Sequence, residues 1–474
     1  MFFHLLSRGQ AVPDNAESSA YLIKDRWDDW GKYQTMFTLV VVVGRGEQHH
    51  IGSVKIGQRG LRPSDTIEPG QRAPEIEREF EQLEEDYFSL GQGETYYESL
   101  NELPEQFRQK ILVGLRDVAF NNEIFRSNLN EEVMRESLLR SVRAKNVENR
   151  LHRLSVGDAR LTRFKFAYSL PMSDAAPPAN LEFDVFPDSV PPTNVHVLIG
   201  RNGVGKTRFM KGFTLALLGR DEEREVVGTL DLLPTREWDD QADWSFSGLI
   251  HVTFSAFDDF NLEAEEGDSI RAVQVGLHKQ REDRATGEPG LKSQSDLAQD
   301  FRKSLAQCRY GLKAQRWREA VSRLETDDLF AESEVRGLLE QDFPDGWNEG
   351  VELFFRRLSS GHAIVLLTIT RLVELVDEKT LVLIDEPEGH LHPPLLSAFV
   401  RCLSDLLVKR NGVAIISTHS PVVLQEVPRS CAWKLRRSRD VSIVERPTIE
   451  TFGESVGLLT REVFGLEVTR DPAP

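Results

Sequence analysis

An α/β fold is predicted for most of this chain, and three observations predict it. From Val195 to about residue 470 the sequence alternates between short apolar runs and longer segments with helical spacing, the pattern of an α/β domain. The apolar run Val195–Ile199 leads directly into a glycine-rich loop, as a buried strand before a helix does. The 474 residues are 40% hydrophobic and 28% charged, so two to four packed domains are expected.

Composition excludes several classes of protein. A formal net charge of −18 argues against coating nucleic acid over the whole surface, although a local basic groove is compatible with it. Three widely separated cysteines (Cys308, Cys402 and Cys431) fit a reducing compartment. Apolar runs such as Phe37–Val43 are far shorter than the roughly 20 residues that span a bilayer, and Met1–Leu6 lacks the basic region of a signal peptide. We therefore expect a cytoplasmic protein with no membrane partner.

Residues 1–156 are predicted to form an extra N-terminal α+β domain. Met36–Val43 and Ile51–Ile56 read as a β-hairpin around a glycine-containing turn. The acidic stretch Glu75–Asp86 carries apolar residues at three- and four-residue steps, which predicts a helix. A further helix is expected to begin near Pro104.

The α/β domain itself is expected to consist of two lobes around a helical insertion. The first lobe covers residues 157–292 and begins with two strand-like runs, Leu161–Leu170 and Leu181–Phe186. The insertion covers residues 293–346, where charged residues alternate with helically spaced apolar ones. The second lobe covers residues 347–474.

The glycine-rich loop matches the phosphate-binding pattern G-x-x-x-x-G-K-[ST] in full. Its glycines allow the backbone amides and the following helix N-terminus to point at phosphates. Lys206 is expected to reach the β- and γ-phosphates of a nucleotide, and the Thr207 hydroxyl to bind Mg²⁺. The predicted nucleotide-binding residues of this loop are Gly200, Arg201, Asn202, Gly203, Val204, Gly205, Lys206, Thr207 and Arg208.

A second motif places two carboxylates at the end of the apolar strand Leu381–Ile384. Asp385 is expected to bind Mg²⁺, and Glu386 to activate the attacking water as a general base. Any buried strand can end in acidic residues. The prediction therefore rests also on the position of the motif after the glycine-rich loop and on the Pro-Glu-Gly-His-Leu-His-Pro run that follows.

Two further elements fit the same chemistry. Ser359, Ser360 and Gly361 open a predicted helix and could clamp a γ-phosphate, although such a turn alone would be an ordinary helix cap. His419 ends a predicted strand, and we favour a contact with the γ-phosphate over a structural role.

These four elements, in this order, resemble the ABC-type ATPase head of the RecF, Rad50, SMC and OLD families, over residues of about 157–470. The resemblance implies ATP and Mg²⁺ as ligands. It also implies a homodimer or higher oligomer in which Ser360 and Gly361 of one head act on ATP held by the other. The run that follows Asp385 and Glu386 looks like stand-alone ATPases of bacterial defence systems such as Septu and PARIS, in which the ATPase controls a separate effector such as a nuclease.

The sequence departs from these families at three points. The stretch His251–Phe260 offers Ser255, Asp258 and Asp259 but lacks the glutamine usual there, which puts the rate of hydrolysis in doubt. The stretch after His419 is shorter than the C-terminal Toprim nuclease of OLD proteins, and no sustained heptad run predicts an extended coiled coil.

Other residues leave alternatives open. Nucleic acid could bind the basic segment Arg135–Arg153 or the cluster Lys434–Arg439. The sequence equally allows the segment to dock against acidic residues and the cluster to be a solvent-exposed strand end. Phe166 or Tyr168 could stack on adenine or pack in the core. His390 and His392 could suggest a metal pair, yet the sequence shows no further ligand at a useful spacing, so a loop position is favoured.

The function expected from the sequence is an ABC-type ATPase that regulates a separate effector in bacterial antiphage defence. The alternatives are a RecF-like DNA-binding repair ATPase, with Arg140, Arg143 and Arg150 on DNA, and an ATP-stabilised scaffold with little turnover.

Overall fold

The computed structural model describes residues 1–465 apart from residues 15, 26–28, 30, 31, 64–71, 143, 158–160, 171–179, 221–226, 236–243, 254–261, 263–269, 280–289, 334, 342, 344, 345, 439 and 440. The chain folds as two compact units. The first comprises Met1–Arg160 with Tyr310–Lys313, and the second comprises Leu161–Arg309 with Ala314–Pro474. None of the described helices is both long and apolar enough to cross a membrane.

The first unit is built on a mixed sheet in the order β5-β1-β2-β3-β4-β6. The predicted hairpin is confirmed, because β3 and β4 pair in antiparallel register. The strands are β1 (Phe2–Leu6), β2 (Ser19–Lys24), β3 (Met36–Val42), β4 (Gln48–Gln58), β5 (Glu79–Phe80) and β6 (Tyr87–Gly91). The main helices are Glu94–Asn101, Glu105–Gly114, which Pro104 precedes as predicted, and Asn122–Asn128.

The prediction of a helix over Glu75–Asp86 was wrong. This stretch contains the short strand β5, in which Phe80 pairs with Phe3 across the sheet and stacks on its ring at 5.0 Å. Leu83 donates its backbone N–H to the carbonyl of Gly114 at 2.8 Å. Phe80 and Leu83 are therefore buried in a stretch that contains a short edge strand, not on one face of a helix.

The basic segment, which the sequence predicts as one amphipathic helix or a pair, folds as two helical stretches. The first is the π-helical turn Met134–Leu138, and the second runs through Ala144–Asn146, Val147–Leu151 and His152–Ser155. Two of its arginines face acidic groups of the same unit. Arg150 lies 3.7 Å from Glu94, and Arg140 lies 3.7 Å from Asp29.

The second unit contains a seven-stranded sheet in the order β12-β11-β13-β14-β9-β15-β16, and a three-stranded antiparallel sheet in the order β10-β7-β8. Neighbours in the larger sheet are parallel except β15 and β16. Its central strands are apolar on both faces, as strands covered by helices on both sides must be. The strands are β7 (Phe164–Ser169), β8 (Asn180–Val185), β9 (Val195–Ile199), β10 (Thr229–Leu233), β11 (Gly248–Thr253), β12 (Arg271–Gly276), β13 (Thr380–Asp385), β14 (Val413–Thr418), β15 (Ala432–Ser438) and β16 (Val441–Glu445).

Helices cover this sheet and build the segment between β12 and β13. Residues 293–346 contain the helices Gln294–Gln307, Gly311–Leu324 and Asp328–Ala331 and the 3₁₀ turn Val335–Leu339. The other helices are Lys206–Leu218, Trp347–Arg357, Ser360–Leu375, Pro393–Arg410, Pro421–Leu424 and Val456–Phe464, with 3₁₀ turns at Pro387–Gly389 and Arg429–Cys431.

The register brings four strand ends to one edge of the larger sheet. Thr253 lies opposite Asp385, and Asp385 lies opposite Ser417. Thr418 in turn lies opposite Ile199, the last residue before the glycine-rich loop. In open α/β sheets, ligands bind outside the carboxyl ends of parallel strands. This edge is therefore where the site is expected.

Candidate functional site

The glycine-rich loop has backbone conformations that only glycine adopts readily. Gly203 and Gly205 have φ angles of 79° and 104°. A Cβ at Gly200 would lie 2.4 Å from the carbonyl oxygen of Leu435, so this position has no room for a side chain. The loop thus turns sharply from β9 into the helix that begins at Lys206.

Lys206 has a buried side chain whose ammonium group faces the loop and the end of β13. Its side chain is 4% exposed, and Nζ lies 3.2 Å from Oε1 of Glu386. Nζ also donates to the carbonyl oxygens of Gly200 at 3.1 Å and Arg201 at 3.3 Å. Phosphate oxygens are acceptors of the same kind, so they could replace these partners of the ammonium group.

Glu386 is held at the mouth of the site by an unusual backbone conformation. Its φ of 43° and ψ of 59° are left-handed, a conformation that costs energy for a residue other than glycine and that is found often at functional sites. Its N–H donates to the carbonyl of Ser417 on β14 at 2.9 Å. Its side chain is 38% exposed, so a water molecule can reach the carboxylate.

Thr207 and Asp385 meet beside this pair. The Thr207 hydroxyl donates to Oδ2 of Asp385 at 3.1 Å. A hydroxyl and a carboxylate at this separation are oxygen ligands of the kind that Mg²⁺ prefers. The donor set therefore fits the magnesium ion that the sequence predicts.

His419 is held by Glu388, a residue that the sequence analysis did not single out. Oε1 of Glu388 accepts hydrogen bonds from the N–H of His419 and the hydroxyl of Thr418, both at 2.6 Å. It also lies 3.0 Å from Nδ1 of His419, and Oε1 of Glu386 lies 3.7 Å from the same nitrogen. The only signal in the sequence was a third carboxylate shortly after Asp385.

Ser359 caps the helix Ser360–Leu375, and its hydroxyl accepts the N–H of His362 at 3.3 Å. Ser359 and Ser360 are exposed, whereas Gly361 is buried. A Cβ at Gly361 would lie 2.8 Å from the carbonyl oxygen of His390, so the helix approaches the loop after β13 closely. Among the described residues, no hydrogen bond or ion pair joins this turn to the glycine-rich loop.

The remaining predicted residues fall in different places. Arg201 is exposed and donates to the carbonyl of Phe464 at 2.7 Å, and Asn202 and Arg208 are exposed beside it. Val204 is half-buried and packs against the core beneath the loop. Ser255, Asp258, Asp259, Arg143 and Arg439 lie outside the described residues.

The two aromatic candidates for adenine stacking belong to the core. Phe166 and Tyr168 are fully buried, and Phe166 stacks on Phe183 at 4.9 Å. Tyr168 donates its hydroxyl to the carbonyl of Val227. Of the two alternatives, core packing is therefore the one found.

The basic cluster on β15 is largely engaged by carboxylates. Lys434 is buried and lies 3.2 Å from Glu445 and 2.7 Å from Glu462. Arg436 lies 3.2 Å from Glu445. Lys434 is thus an internal ion-pair partner, and the cluster presents less positive charge than its sequence indicates.

Two buried histidines lie on the strands of this sheet. Burial, together with the charge of Arg446, lowers the pKa of His196 on β9 to about 3. Burial alone lowers the pKa of His251 on β11 to about 4. Both imidazoles are therefore neutral at physiological pH.

The parallel sheet, its glycine-rich loop and the carboxylates at its edge define a P-loop ATPase head of the ABC type. Residues 234–425 match the family described as AAA domain, putative AbiEii toxin, Type IV TA system. The chain is 39% identical to protein ea59 of Escherichia phage lambda over 488 residues, which cover 98% of this chain and 90% of that protein. It therefore belongs to the ea59 family.

More distant similarities are also found. The chain is 28% identical over 138 residues to the Septu protein PtuA from Bacillus thuringiensis, covering 26% of this chain and 34% of PtuA. A putative metal-chelate type ABC transporter in an inward-facing conformation aligns with a TM-score of 0.30 and 15% identity, covering 60% of this chain and 84% of that one. The ADP conformation of an ATP-binding cassette of an ABC transporter aligns with a TM-score of 0.28 and 13% identity, covering 56% and 85%.

Proposed function

We propose that this protein binds and hydrolyses Mg-ATP at the edge where β9, β13 and β14 end. The observation that carries the proposal is the convergence of Lys206, Glu386 and His419 on one another. Glu386 Oε1 lies 3.2 Å from Nζ of Lys206 and 3.7 Å from Nδ1 of His419. A cation for the phosphates, a base for water and a histidine for the γ-phosphate thus share one point of the sheet edge.

The roles follow from the chemistry of phosphoryl transfer, which depends on positioning and on stabilisation of charge. The loop amides and the N-terminus of the helix Lys206–Leu218 receive the phosphates. Lys206 moves from Glu386 to the β- and γ-phosphates, which frees the carboxylate to take a proton from the attacking water. His419, held by Glu388, donates to the γ-phosphate. Magnesium, held by Thr207 and Asp385, would neutralise phosphate charge.

Dimerisation on ATP is the second part of the proposal. Ser360 is exposed at the N-terminus of its helix, where its hydroxyl and the helix amides can receive an anion from another molecule. In the ABC-type heads that the sequence resembles, this turn acts on the nucleotide of the partner head. Two copies arranged head to tail would therefore complete both sites.

We place the output of this ATPase in a separate effector, such as a nuclease, within antiphage defence in the bacterial cytoplasm. The support is the similarity to a relative that is named as a Septu protein, over residues that amount to about a quarter of this chain. In the two-component systems that the sequence resembles, ATP-driven closure of the heads controls the partner.

A RecF-like role on DNA has less support from the contacts. The side chain of Arg150 is 9% exposed and faces Glu94, and that of Arg140 lies near the buried carboxylate of Asp29. Charges that are neutralised within their own unit contribute little to phosphate binding.

The test is the native mass of Glu386→Gln with and without Mg-ATP. The amide cannot act as a base, so the variant should hold ATP and accumulate the closed state. We expect the mass to double, or to step between oligomers, on addition of ATP. The matched control is the double variant Lys206→Ala/Glu386→Gln, whose mass should not respond. A single variant that binds ATP with unchanged mass would contradict dimerisation, and one that binds no ATP would contradict the site itself.

A further inference from the structure

A cluster of two histidines and an aspartate includes none of the residues assigned above to the phosphates, to Mg²⁺ or to the attacking water. Its members come from three separate elements of the second unit. Asp327 precedes the helix Asp328–Ala331 in the segment 293–346, His362 lies in the first turn of the helix Ser360–Leu375, and His392 caps the helix Pro393–Arg410. From the sequence alone, further ligands for His392 were not evident. The structure supplies them from positions that are remote along the chain.

The distances in the cluster are those of ligands around one ion. Nε2 of His362 lies 3.4 Å from Oδ1 of Asp327, and Nε2 of His392 lies 3.5 Å from Oδ2. One atom from each residue falls within 4.8 Å of the others. These separations exceed the 2.7–3.2 Å of good hydrogen bonds. Each nitrogen–oxygen distance is close to the roughly 3.3 Å between neighbouring ligands in a tetrahedral site with bonds of about 2.0–2.1 Å, and the two histidines approach different oxygens of the carboxylate.

Two of the three side chains, those of Asp327 and His362, are buried next to each other. Asp327 is 7% exposed, and its Oδ1 also accepts the N–H of Phe330 at 3.0 Å. His362 is 8% exposed, and its Nε2 has no hydrogen-bond partner among the described residues although it faces the carboxylate. A buried carboxylate that faces a buried imidazole nitrogen is costly unless a proton or a metal cation joins them.

The outer contacts orient the rings. Nδ1 of His362 lies 3.0 Å from the hydroxyl of Ser359, which fixes the ring with Nε2 towards Asp327. Nδ1 of His392 accepts the N–H of Leu395 at 3.3 Å. If Nε2 of His392 coordinates a metal, the ring proton lies on Nδ1. Nδ1 can then no longer accept the N–H of Leu395, so metal binding would break this long cap contact.

We propose that Asp327, His362 and His392 bind one divalent transition-metal ion of the zinc class. Two imidazole nitrogens and one carboxylate oxygen suit Zn²⁺ or Co²⁺, whereas Mg²⁺ and Ca²⁺ take oxygen ligands. The His392 side chain is 46% exposed, so the ion can enter from solvent and keep a water as fourth ligand. The ion joins the segment 293–346 to the Ser359 turn and to the loop after β13. A consequence for ATP use would rest on the proposed function, but the binding itself does not.

The experiment is a Co²⁺ titration of the tag-free, EDTA-dialysed full chain without nucleotide, followed by visible absorption and by competition with Zn²⁺. Bound metal is counted by mass spectrometry after gel filtration. Two variants remove a ligand but keep a helix-capping group: His392→Ser and Asp327→Asn. The matched control is His390→Ser, which removes an exposed histidine two positions away.

We expect the wild type and His390→Ser to bind one equivalent of Co²⁺ with the intense visible bands of tetrahedral coordination. The two ligand variants should bind at least 10-fold more weakly, because removal of even an outer-shell partner costs 10–100-fold in affinity. The proposal is overturned if the wild type shows no such bands, or if His392→Ser titrates like the wild type. Neither result depends on whether the protein hydrolyses ATP.

Discussion

The ammonium group of Lys206 lies 3.2 Å from the carboxylate of Glu386, so the proposed cation for the phosphates and the proposed base for water are paired with each other. Such a pair keeps the carboxylate occupied until phosphate oxygens attract the lysine. Binding of the nucleotide would therefore free the Glu386 carboxylate to act as a base at the moment when the γ-phosphate is in place. This arrangement links the glycine-rich loop to the end of β13, two elements that lie far apart along the chain.

Replacing Lys206 by alanine should weaken ATP binding by about 10- to 150-fold, since a hydrogen bond to a charged group contributes about 1.5–3 kcal/mol. Isothermal titration with Mg-ATP measures the change. The control is Lys211→Ala, which removes an exposed lysine from the same helix. Equal affinities for the two variants would mean that Lys206 does not bind phosphate.

Glu388→Gln tests whether this carboxylate positions His419. The amide keeps an acceptor oxygen for the backbone N–H of His419 but loses the charge beside Nδ1. We expect kcat to fall about 10- to 100-fold, below the 10²–10⁴-fold contribution of a proton-transfer group. The KM for ATP should stay within a factor of about three, because Glu388 makes no contact with the glycine-rich loop among the described residues.

A purely structural role for Glu388 would change the two constants together. His419→Gln provides the comparison, because it removes the imidazole while it leaves Glu388 in place. If Glu388→Gln hydrolyses ATP like the wild type, His419 does not depend on this carboxylate.

The sequence predicted what is encoded locally. The loop Gly200–Thr207 and the strand before Asp385 carry their own pattern, and both occur where the pattern placed them. The helix over Glu75–Asp86 was mispredicted because a three- and four-residue spacing also occurs in this stretch, where Phe80 pairs with Phe3 of another strand. Asp327 could not be found from the sequence, since only the fold brings it to His362 and His392.

Gly361 should not tolerate a side chain. A Cβ there would lie 2.8 Å from the backbone oxygen of His390, so Gly361→Ala must push the helix Ser360–Leu375 away from the loop after β13. Overpacking of this kind costs about 1–3 kcal/mol. Urea unfolding measures the loss. The control is Gly389→Ala, where a Cβ meets nothing within 4 Å, and equal stability of the two variants would argue against the close approach.

Acid should destabilise the second unit through its buried histidines. The pKa of His196 falls from 6.5 in the unfolded chain to about 3 in the fold, so the unfolded state binds more protons below pH 6.5. The contribution of the neutral His196 imidazole to the free energy of unfolding is fully present above pH 6.5. It is lost progressively as the pH falls towards 3. Between pH 7.5 and pH 5.0 this amounts to about 2 kcal/mol, at 1.36 kcal/mol per pKa unit.

The variant His196→Leu removes the titrating group while it keeps an apolar side chain against Phe183, whose ring lies 5.2 Å from that of His196. We expect its free energy of unfolding to fall less between pH 7.5 and pH 5.0 than that of the wild type, by about 2 kcal/mol. His251, whose pKa falls to about 4, should act in the same direction and leave part of the acid sensitivity in place. Urea titrations followed by tryptophan fluorescence give the four free energies, and parallel losses in His196→Leu and the wild type would mean that His196 is protonated in the fold.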